Sequence, residues 1–200
     1  MSLVNFTSRE ITCKIVYYGP GRSGKTSNLQ YIYGRVPEAR RGRMVSLATK
    51  GDRTLFFDFL PLELGTISGF VTRFQLYTVP GQVYYNATRK LVLQGADGIV
   101  FVADSQARRF DDNLESLQNL QENLLAHGVD IRELPLVYQY NKQDLPADLI
   151  LGPDELDDAL NFRAVQSFGA DCLSGNGVFE TLRGISELVL KRLAAGSRVA

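Results

Sequence analysis

Short apolar runs alternate with amphipathic stretches along the chain, which predicts an α/β fold with a mostly parallel central sheet and helices on both faces. The predicted strands are 11–18, 54–60, 70–79, 98–104, 136–140 and 164–168. One helix is predicted to start near Lys25. Four more are predicted at 86–94, 111–126, 154–160 and 178–194. Weak periodicity predicts that 37–50 is mostly loop. Gly65 and Gly69 separate two runs rich in aromatic and β-branched residues, which predicts one antiparallel edge hairpin.

The predicted helix 111–126 has the clearest apolar face. Its leucines recur at helical spacing, so Leu114, Leu117, Leu120 and Leu124 are all expected in the core. No internal repeat, low-complexity tract or linker interrupts the sequence, and residues 1–200 are therefore predicted to form a single domain.

Composition argues against several classes of function. Lys plus Arg and Asp plus Glu number 22 each in 200 residues, so no strong field would recruit nucleic acid or an anionic membrane. A single histidine argues against a His-rich metal centre, and two cysteines, Cys13 and Cys172, favour a reducing compartment. No apolar run approaches the ~20 residues that span a bilayer, and the sequence shows no secretory or lipidation signal. We expect a cytoplasmic protein without a direct lipid anchor.

The segment 19–26 reads Gly-Pro-Gly-Arg-Ser-Gly-Lys-Thr and satisfies the phosphate-loop pattern G-x-x-x-x-G-K-[ST]. An apolar strand precedes it and a helical pattern follows, which is the context that this motif requires. Glycines let backbone N–H groups approach phosphates, Lys25 supplies positive charge to the β- and γ-phosphates, and the Thr26 hydroxyl can bind Mg²⁺. The predicted nucleotide-binding residues in this segment and just after it are Gly19, Gly21, Arg22, Ser23, Gly24, Lys25, Thr26 and Ser27.

A second motif, Asn141-Lys142-Gln143-Asp144, follows the predicted strand 136–140. The Asp144 carboxylate can accept hydrogen bonds from N1–H and the N2 amino group of guanine, whereas adenine would place an acceptor against it. Asn141 can tie this loop to the phosphate loop, and the stem of Lys142 can cover the base. The position of the motif at the carboxyl end of a strand strengthens the prediction of guanine specificity.

With both motifs placed, the chain resembles the small Ras-like GTPases, and within them the bacterial MglA family, whose members switch cell polarity and gliding motility. The closer resemblance rests on the segments 17–21, 47–62, 76–82 and 175–182. It implies a Ras-like P-loop GTPase fold, GTP and GDP as ligands, Mg²⁺ as cofactor and slow intrinsic hydrolysis of GTP. It also implies switch I at about 45–60, switch II at about 78–90 and a second base loop at 171–173, where Cys172 and Leu173 would lie by the base.

One position departs from the Ras-like pattern, in which D-x-x-G-Q ends the third strand. Here residues 78–82 read Thr-Val-Pro-Gly-Gln, so Thr78 stands where an aspartate normally holds a Mg²⁺-bound water, a departure that MglA-like proteins share. A neutral hydroxyl gives Mg²⁺ less charge than a carboxylate does. Asp58 on the preceding strand is the candidate for a compensating acid, and a solvated strand residue is the alternative.

The resemblance also assigns the catalytic roles. Gln82 would orient the attacking water, the N–H of Gly81 would contact the γ-phosphate, and Lys25 would neutralise charge. Arg53 would act as an intrinsic arginine finger, with a surface arginine as the alternative. The hydroxyl of Thr54 would be the second protein ligand of Mg²⁺.

The same resemblance implies a partner, a small MglB-like Roadblock-type homodimer that activates the GTPase by pulling Arg53 and Gln82 into place. The chain itself would be a monomer that partners recruit to a cell pole, with unknown effectors. Two other functions stay open. One is a GTP-dependent binding scaffold that scarcely hydrolyses, which a turnover measurement would distinguish. The other is a P-loop metabolic kinase, which a preference for ADP over GDP would reveal.

Overall fold

A computed structural model of the chain describes residues 3–47, 57–67, 69–82 and 85–196. The strands are β1 (Leu3–Asn5), β2 (Glu10–Tyr18), β3 (Val45–Leu47), β4 (Phe57–Ile67), β5 (Phe70–Thr78), β6 (Gly98–Asp104), β7 (Leu136–Asn141) and β8 (Ser167–Ala170). The α-helices are α1 (Lys25–Arg35), α2 (Asn86–Leu93), α3 (Phe110–Leu125), α4 (Pro153–Leu160) and α5 (Val178–Gly196). Short 3₁₀ turns at Glu38–Arg40 and Ala107–Arg109 precede β3 and α3.

The described strands form a sheet in the order β3-β4-β5-β2-β6-β7-β8, and β1 pairs with the start of β2. The pairings from β5 through β2, β6 and β7 to β8 are parallel. β4 runs antiparallel to β5, and β3 runs antiparallel to β4. The predicted α/β fold, with a mostly parallel sheet and an antiparallel hairpin at its edge, is confirmed. β1 and β3 are further antiparallel strands that the sequence did not predict.

Alternation along β2 divides the core into two layers. Ile15 and Tyr17 pack on the side of α1 and α5, whereas Val16 and Tyr18 pack on the side of α2, α3 and α4, and all four are fully buried. β6 is buried along its whole length, as expected for a parallel strand that helices cover on both faces. Because β5, β2, β6, β7 and β8 run parallel, their carboxyl ends lie at the same edge of the sheet.

The long helix α5 is amphipathic rather than apolar all round. Leu182, Ile185 and Val189 are buried against the sheet, while Arg183 and Glu187 are exposed. Across the described ranges, no helix has both the length and the apolar character needed to cross a membrane.

Four predictions about elements are wrong in detail. β4 continues to Ile67, seven residues beyond the predicted end at 60, and includes Gly65. β8 starts three residues later than predicted, because the chain first turns between Asn161 and Ala164, and Ala164 has a φ of 48°. The segment 37–50, predicted as mostly loop, contains β3. Leu114 is 39% exposed, although the other three leucines of its predicted stripe are buried. At about 100° per residue, Leu114 lies at the margin of the buried face.

Candidate nucleotide-binding site

A cavity of about 460 Å³ opens at the edge of the sheet where β2 and β5 end. We call it the phosphate-loop cavity. The residues that line it come from the phosphate loop, β3, β4 and switch II, and include Arg22, Lys25, Thr26, Ser46, Asp58 and Thr78. Open α/β sheets bind their ligands at this edge, outside the carboxyl ends of the strands.

The loop 19–26 has the backbone that an anion site needs. Its φ angle is positive at Gly19 (143°), Arg22 (63°) and Gly24 (102°). Such a conformation turns successive N–H groups toward one concavity, and the N-terminus of α1 adds its positive end there. Gly24 also lies so close to Asn141 that a Cβ would come within 2.1 Å of its Nδ2, so only glycine fits.

Lys25 is held inside the loop, and its ammonium group faces backbone rather than solvent. The side chain is buried, and Nζ donates hydrogen bonds to the carbonyl oxygens of Gly19 at 3.0 Å and Pro20 at 2.6 Å. Burial and the nearby guanidinium of Arg89 lower the pKa of Lys25 to about 7, against the opposing effect of Asp58. In the nucleotide-free protein, Lys25 is therefore a weaker base than an ordinary lysine.

This pKa predicts that nucleotide binding takes up a proton. At pH 8.5 the free Lys25, with a pKa of about 7, is mostly neutral, and a bound polyphosphate restores its charge. We expect the uptake of nearly one proton for each GDP bound. The phosphate groups, with a pKa near 6, are already ionised at pH 8.5, so this proton would bind to the protein and not to GDP. Calorimetric titration in two buffers of different ionisation enthalpy measures it. Equal binding enthalpies in both buffers would contradict the prediction, and Lys25→Met is the control that removes the group.

The same shift fixes how the stability of the nucleotide-free protein depends on pH. The folded-state pKa of Lys25, about 7, lies below the ordinary value of 10.5, so between these two values the unfolded chain binds more protons. The Lys25 contribution to the free energy of unfolding therefore rises with pH across this window. Urea titrations at pH 7 and pH 9 should show that this gain is smaller in Lys25→Met. An identical gain in both proteins would show that Lys25 is not its source.

Asp58 is the acid of this cavity. The side chain is buried, 7% exposed, so the alternative of a solvated strand residue is wrong. Its Oδ2 accepts hydrogen bonds from the hydroxyls of Thr26 at 2.6 Å and Thr78 at 2.8 Å. Its Oδ1 accepts one from the hydroxyl of Ser46 at 2.7 Å. One carboxylate thus joins the phosphate loop, β3 and the start of switch II.

A β-bulge places Asp58 opposite Thr78. Near the turn, β4 and β5 pair Ile67 with Phe70, and the register shifts by one residue between Glu63 and Gly65. Because side chains alternate across a strand, a hairpin without this shift would direct Asp58 to the other face of the sheet. In the shifted register, the Asp58 N–H also donates to the Thr78 hydroxyl at 2.8 Å.

The oxygen atoms around Asp58 fit Mg²⁺, which prefers hard oxygen ligands and binds through one or two carboxylates together with phosphates and waters. Thr26 and Asp58 meet at the lining of the phosphate-loop cavity, beside the hydroxyls of Ser46 and Thr78. In the part of the chain that the structure describes, no group of three or more His, Cys, Asp or Glu residues could hold a metal by itself. The fit therefore depends on oxygens that a bound nucleotide would add.

Switch II lies directly against the phosphate loop. A Cβ on Gly81 would come within 2.2 Å of the Gly21 Cα, so the two backbones are in close contact. Gln82 is exposed and lines a second cavity of about 420 Å³, together with Gly21 and Arg109. We call this the side cavity. The structure therefore brings Gly81 to the phosphate loop but does not bring the Gln82 side chain into the phosphate-loop cavity.

A polar network fixes the start of α2, which continues switch II. The Tyr18 hydroxyl donates to Asn119 Oδ1 at 2.7 Å and accepts from Asn123 Nδ2 at 3.1 Å. Asn123 Nδ2 also lies 2.6 Å from Asn86 Oδ1, at the first residue of α2. Because Tyr18 ends the strand that leads into the phosphate loop, the network joins switch II, α3 and that loop.

Arg89 on α2 is a residue that sequence reasoning missed. It is fully buried, its guanidinium lies 4.3 Å from the centre of the Tyr18 ring, and its Nη2 donates to the Ser116 hydroxyl at 2.7 Å. Burial lowers its pKa despite the opposing effect of Tyr18. No sequence signal marks Arg89 as buried on this amphipathic helix, since arginine is usually exposed.

The base-binding side is tied to the phosphate loop through Asn141. Its Nδ2 donates to the Ser23 carbonyl at 2.7 Å, the link that the sequence predicted, and its Oδ1 accepts from the Cys172 N–H at 3.1 Å. Burial raises the pKa of the Cys172 thiol. Cys172 is therefore a packed residue that holds Asn141 in place.

The two charged residues of the base motif differ in their surroundings. Lys142 forms an ion pair with the buried carboxylate of Asp104 and has a φ of 73°, whereas Asp144 is exposed. Leu173 is 81% exposed, and its N–H donates to Asp171 Oδ1 at 2.8 Å. Asp144 is thus accessible to a base, and hydrogen bonds to Asp171 hold the second base loop.

Arg53 and Thr54, the candidates from switch I, lie outside the described residues, as do positions 83 and 84 of switch II. Their roles stay predictions from the sequence.

Comparison with known proteins identifies the family, although no protein-family model matches the chain. The chain is 56% identical over 196 residues to the mutual gliding-motility protein MglA of Myxococcus xanthus (strain DK1622), and the match covers 98% of this chain and 100% of that protein. It is 25% identical to the ADP-ribosylation factor-like protein 6 of Caenorhabditis elegans, over 88% of this chain and 86% of that protein. The corresponding protein of Caenorhabditis briggsae is 26% identical, over 90% and 87% of the two chains. The predicted resemblance is confirmed: the chain belongs to the MglA family of small Ras-like GTPases and binds guanine nucleotide.

Proposed function

We propose that this GTPase is a molecular switch that controls cell polarity or gliding motility through nucleotide-dependent binding of partners. The observation that carries the proposal is the Asp58 carboxylate, which joins Thr26 of the phosphate loop to Thr78 of switch II. A contact of this kind couples whatever the loop binds to the position of switch II. The match with a protein named for gliding motility supports the process that we assign.

Mg²⁺ would be held by the hydroxyls of Thr26 and Thr54, with Asp58 as the acid that replaces a switch II aspartate. When bound, Mg²⁺ supplies positive charge to the β- and γ-phosphates. Asp58 Oδ2 accepts a hydrogen bond from the Thr26 hydroxyl at 2.6 Å, which turns the lone pairs of that hydroxyl oxygen toward the cavity. The charge that a switch II aspartate would provide comes instead from the neighbouring strand.

For hydrolysis, Lys25 would neutralise charge on the phosphates, Arg53 would act as an intrinsic finger and Gln82 would orient the attacking water. Gln82 lines the side cavity, so it must turn toward the phosphate-loop cavity before it can do this. That requirement supports slow intrinsic turnover and activation by a partner. An MglB-like Roadblock-type homodimer would move Arg53 and Gln82 into place.

If Arg53 is an intrinsic arginine finger, Arg53→Ala should lower the rate of partner-stimulated GTP hydrolysis by about 10³-fold or more. Nucleotide affinity should change little, because a finger acts on charge that develops during the reaction. Single-turnover assays with and without the Roadblock-type partner measure this, with Arg132→Ala, an exposed arginine paired with Asp130, as the control. Full stimulation of Arg53→Ala would show that the partner supplies the missing charge itself.

A GTP-dependent scaffold that scarcely hydrolyses is the second candidate function. Two observations favour it: Thr78 carries no charge, and Gln82 lies outside the phosphate-loop cavity. Both candidates predict tight binding of GTP, so the rate of hydrolysis with the partner present separates them.

In the cell, we propose a cytoplasmic monomer that reaches a pole by binding partners. The test of the controlled process is expression in Myxococcus xanthus cells that lack their own MglA. Restored gliding, and its loss in Lys25→Met made at equal level, would support the proposal. Stable protein that binds GTP but restores neither gliding nor polar localisation would remove the assignment to motility and leave the GTPase activity standing.

A further inference from the structure

Arg109 contacts the phosphate loop and lies outside the motifs at 19–26, 78–82 and 141–144. It is the last residue of the 3₁₀ turn before α3, and its side chain is 32% exposed. Its Nη2 donates to the carbonyl oxygen of Gly21 at 3.0 Å, and its Nη1 pairs with Asp112 Oδ2 at 2.8 Å. Asp112, in the first turn of α3, therefore fixes the guanidinium against the loop.

The carbonyl that Arg109 holds belongs to the peptide before Arg22, a residue with a disfavoured backbone. Arg22 has a φ of 63°, in the left-handed region that side chains other than glycine rarely adopt. The loop must keep this conformation for its N–H groups to converge on an anion. A contact that fixes the Gly21–Arg22 peptide opposes its relaxation to an ordinary conformation.

The direction of the contact matters for ligand binding. Because a trans peptide is planar, the Gly21 carbonyl and the Arg22 N–H point to opposite sides. Arg109 and Gly21 line the side cavity, whereas Arg22 also lines the phosphate-loop cavity. With the carbonyl held on the side of Arg109, the Arg22 N–H is directed away from the side cavity.

We propose that Arg109 is a positioning residue for nucleotide binding, which holds the Gly21–Arg22 peptide so that the Arg22 N–H is available to the phosphates. This inference rests on nucleotide binding at the phosphate loop. It predicts that the energetic effect of Arg109 depends on the residue at position 22, because glycine adopts a positive φ without strain.

The experiment measures the dissociation rate of a fluorescent GDP analogue from full-length variants. Arg109→Gln should release it about tenfold faster, the usual effect of losing a charged hydrogen bond. Arg109→Lys, which keeps the charge but must choose between Gly21 and Asp112, should lie between Arg109→Gln and the unchanged protein. Arg108→Gln is the matched control, because Arg108 is exposed and bonds to Gln106 alone among the described residues.

The decisive comparison repeats Arg109→Gln in an Arg22→Gly background. If Arg109 restrains the strained peptide, the added change should then accelerate release by no more than about twofold. A tenfold acceleration in that background, or none in the original one, would overturn the inference. Equal thermal melting of the nucleotide-free variants would exclude general unfolding as the cause. Failure of the protein without substitutions to bind the GDP analogue would overturn the nucleotide site itself. That result is distinct from the two release rates that would overturn the role of Arg109.

Discussion

Asp58→Asn should lower the affinity for Mg²⁺ by about 10- to 100-fold, the range found when a partner of a metal ligand is removed. The amide keeps the size of the side chain but removes the charge that Thr26 and Thr78 contact. The dissociation rate of GDP, titrated with Mg²⁺ and with a chelator, measures the effect. In the unchanged protein the chelator should accelerate release strongly, and in Asp58→Asn release should be fast already. A variant with unchanged Mg²⁺ dependence would show that Asp58 has no part in the metal site.

The charge at Asp58 can also be moved across the hairpin. Thr78→Asp alone places a second carboxylate beside Asp58 and should destabilise the fold by like-charge repulsion. In the Asp58→Asn background the same change should recover part of the Mg²⁺ affinity, because one carboxylate is again present. Glu63→Gln, on the same strand but partly exposed and paired with Arg73, is the matched control. No recovery in the double variant would mean that the position of the charge matters as well as its presence.

Gly24→Ala should reduce GDP affinity by 100-fold or more, about 3 kcal/mol. The added Cβ would lie 2.1 Å from Asn141 Nδ2 and 2.9 Å from Cys172 Sγ, at a φ of 102° that alanine rarely adopts. Both the phosphate loop and the link to the base loop would have to shift. Equilibrium titration with a fluorescent GDP analogue checks this prediction.

Gly34→Ala is the matched control for this substitution. Gly34 lies in α1, and a Cβ there would meet nothing within 4 Å. This variant should bind GDP normally and gain about 0.5–1 kcal/mol of stability, because alanine is the better helix former. Equal losses of affinity in both variants would show that the effect does not come from the contact of Gly24 with Asn141.

Elements that depend on local pattern could be predicted from the sequence. The apolar run of β6 predicts a strand buried on both faces, and the glycine-rich segment after β2 predicts an anion-binding loop. Both are local properties of consecutive residues. β3 was missed because a three-residue strand at the edge leaves almost no periodic signal.

The candidate site was harder to predict where it depends on tertiary structure. Asp58 could be named as a compensating acid, but its contact with Thr78 depends on a bulge that the sequence of the hairpin does not reveal. Arg89 and Arg109 could not be assigned to the site from the sequence, because arginine side chains are usually exposed. The role of Arg89 follows only from the packing of α2 against α3 and Tyr18. The role of Arg109 follows only from the contact of the 3₁₀ turn before α3 with the phosphate loop.

We propose above all that this chain is a switch whose GTP hydrolysis a partner regulates. Single-turnover hydrolysis of GTP with Mg²⁺ tests it most directly, measured alone, with a Roadblock-type homodimer, and with Gln82→Ala under both conditions. We predict slow turnover alone, acceleration by the partner, and loss of that acceleration in Gln82→Ala. Tight binding of GTP without turnover under either condition would contradict the claim and favour the scaffold.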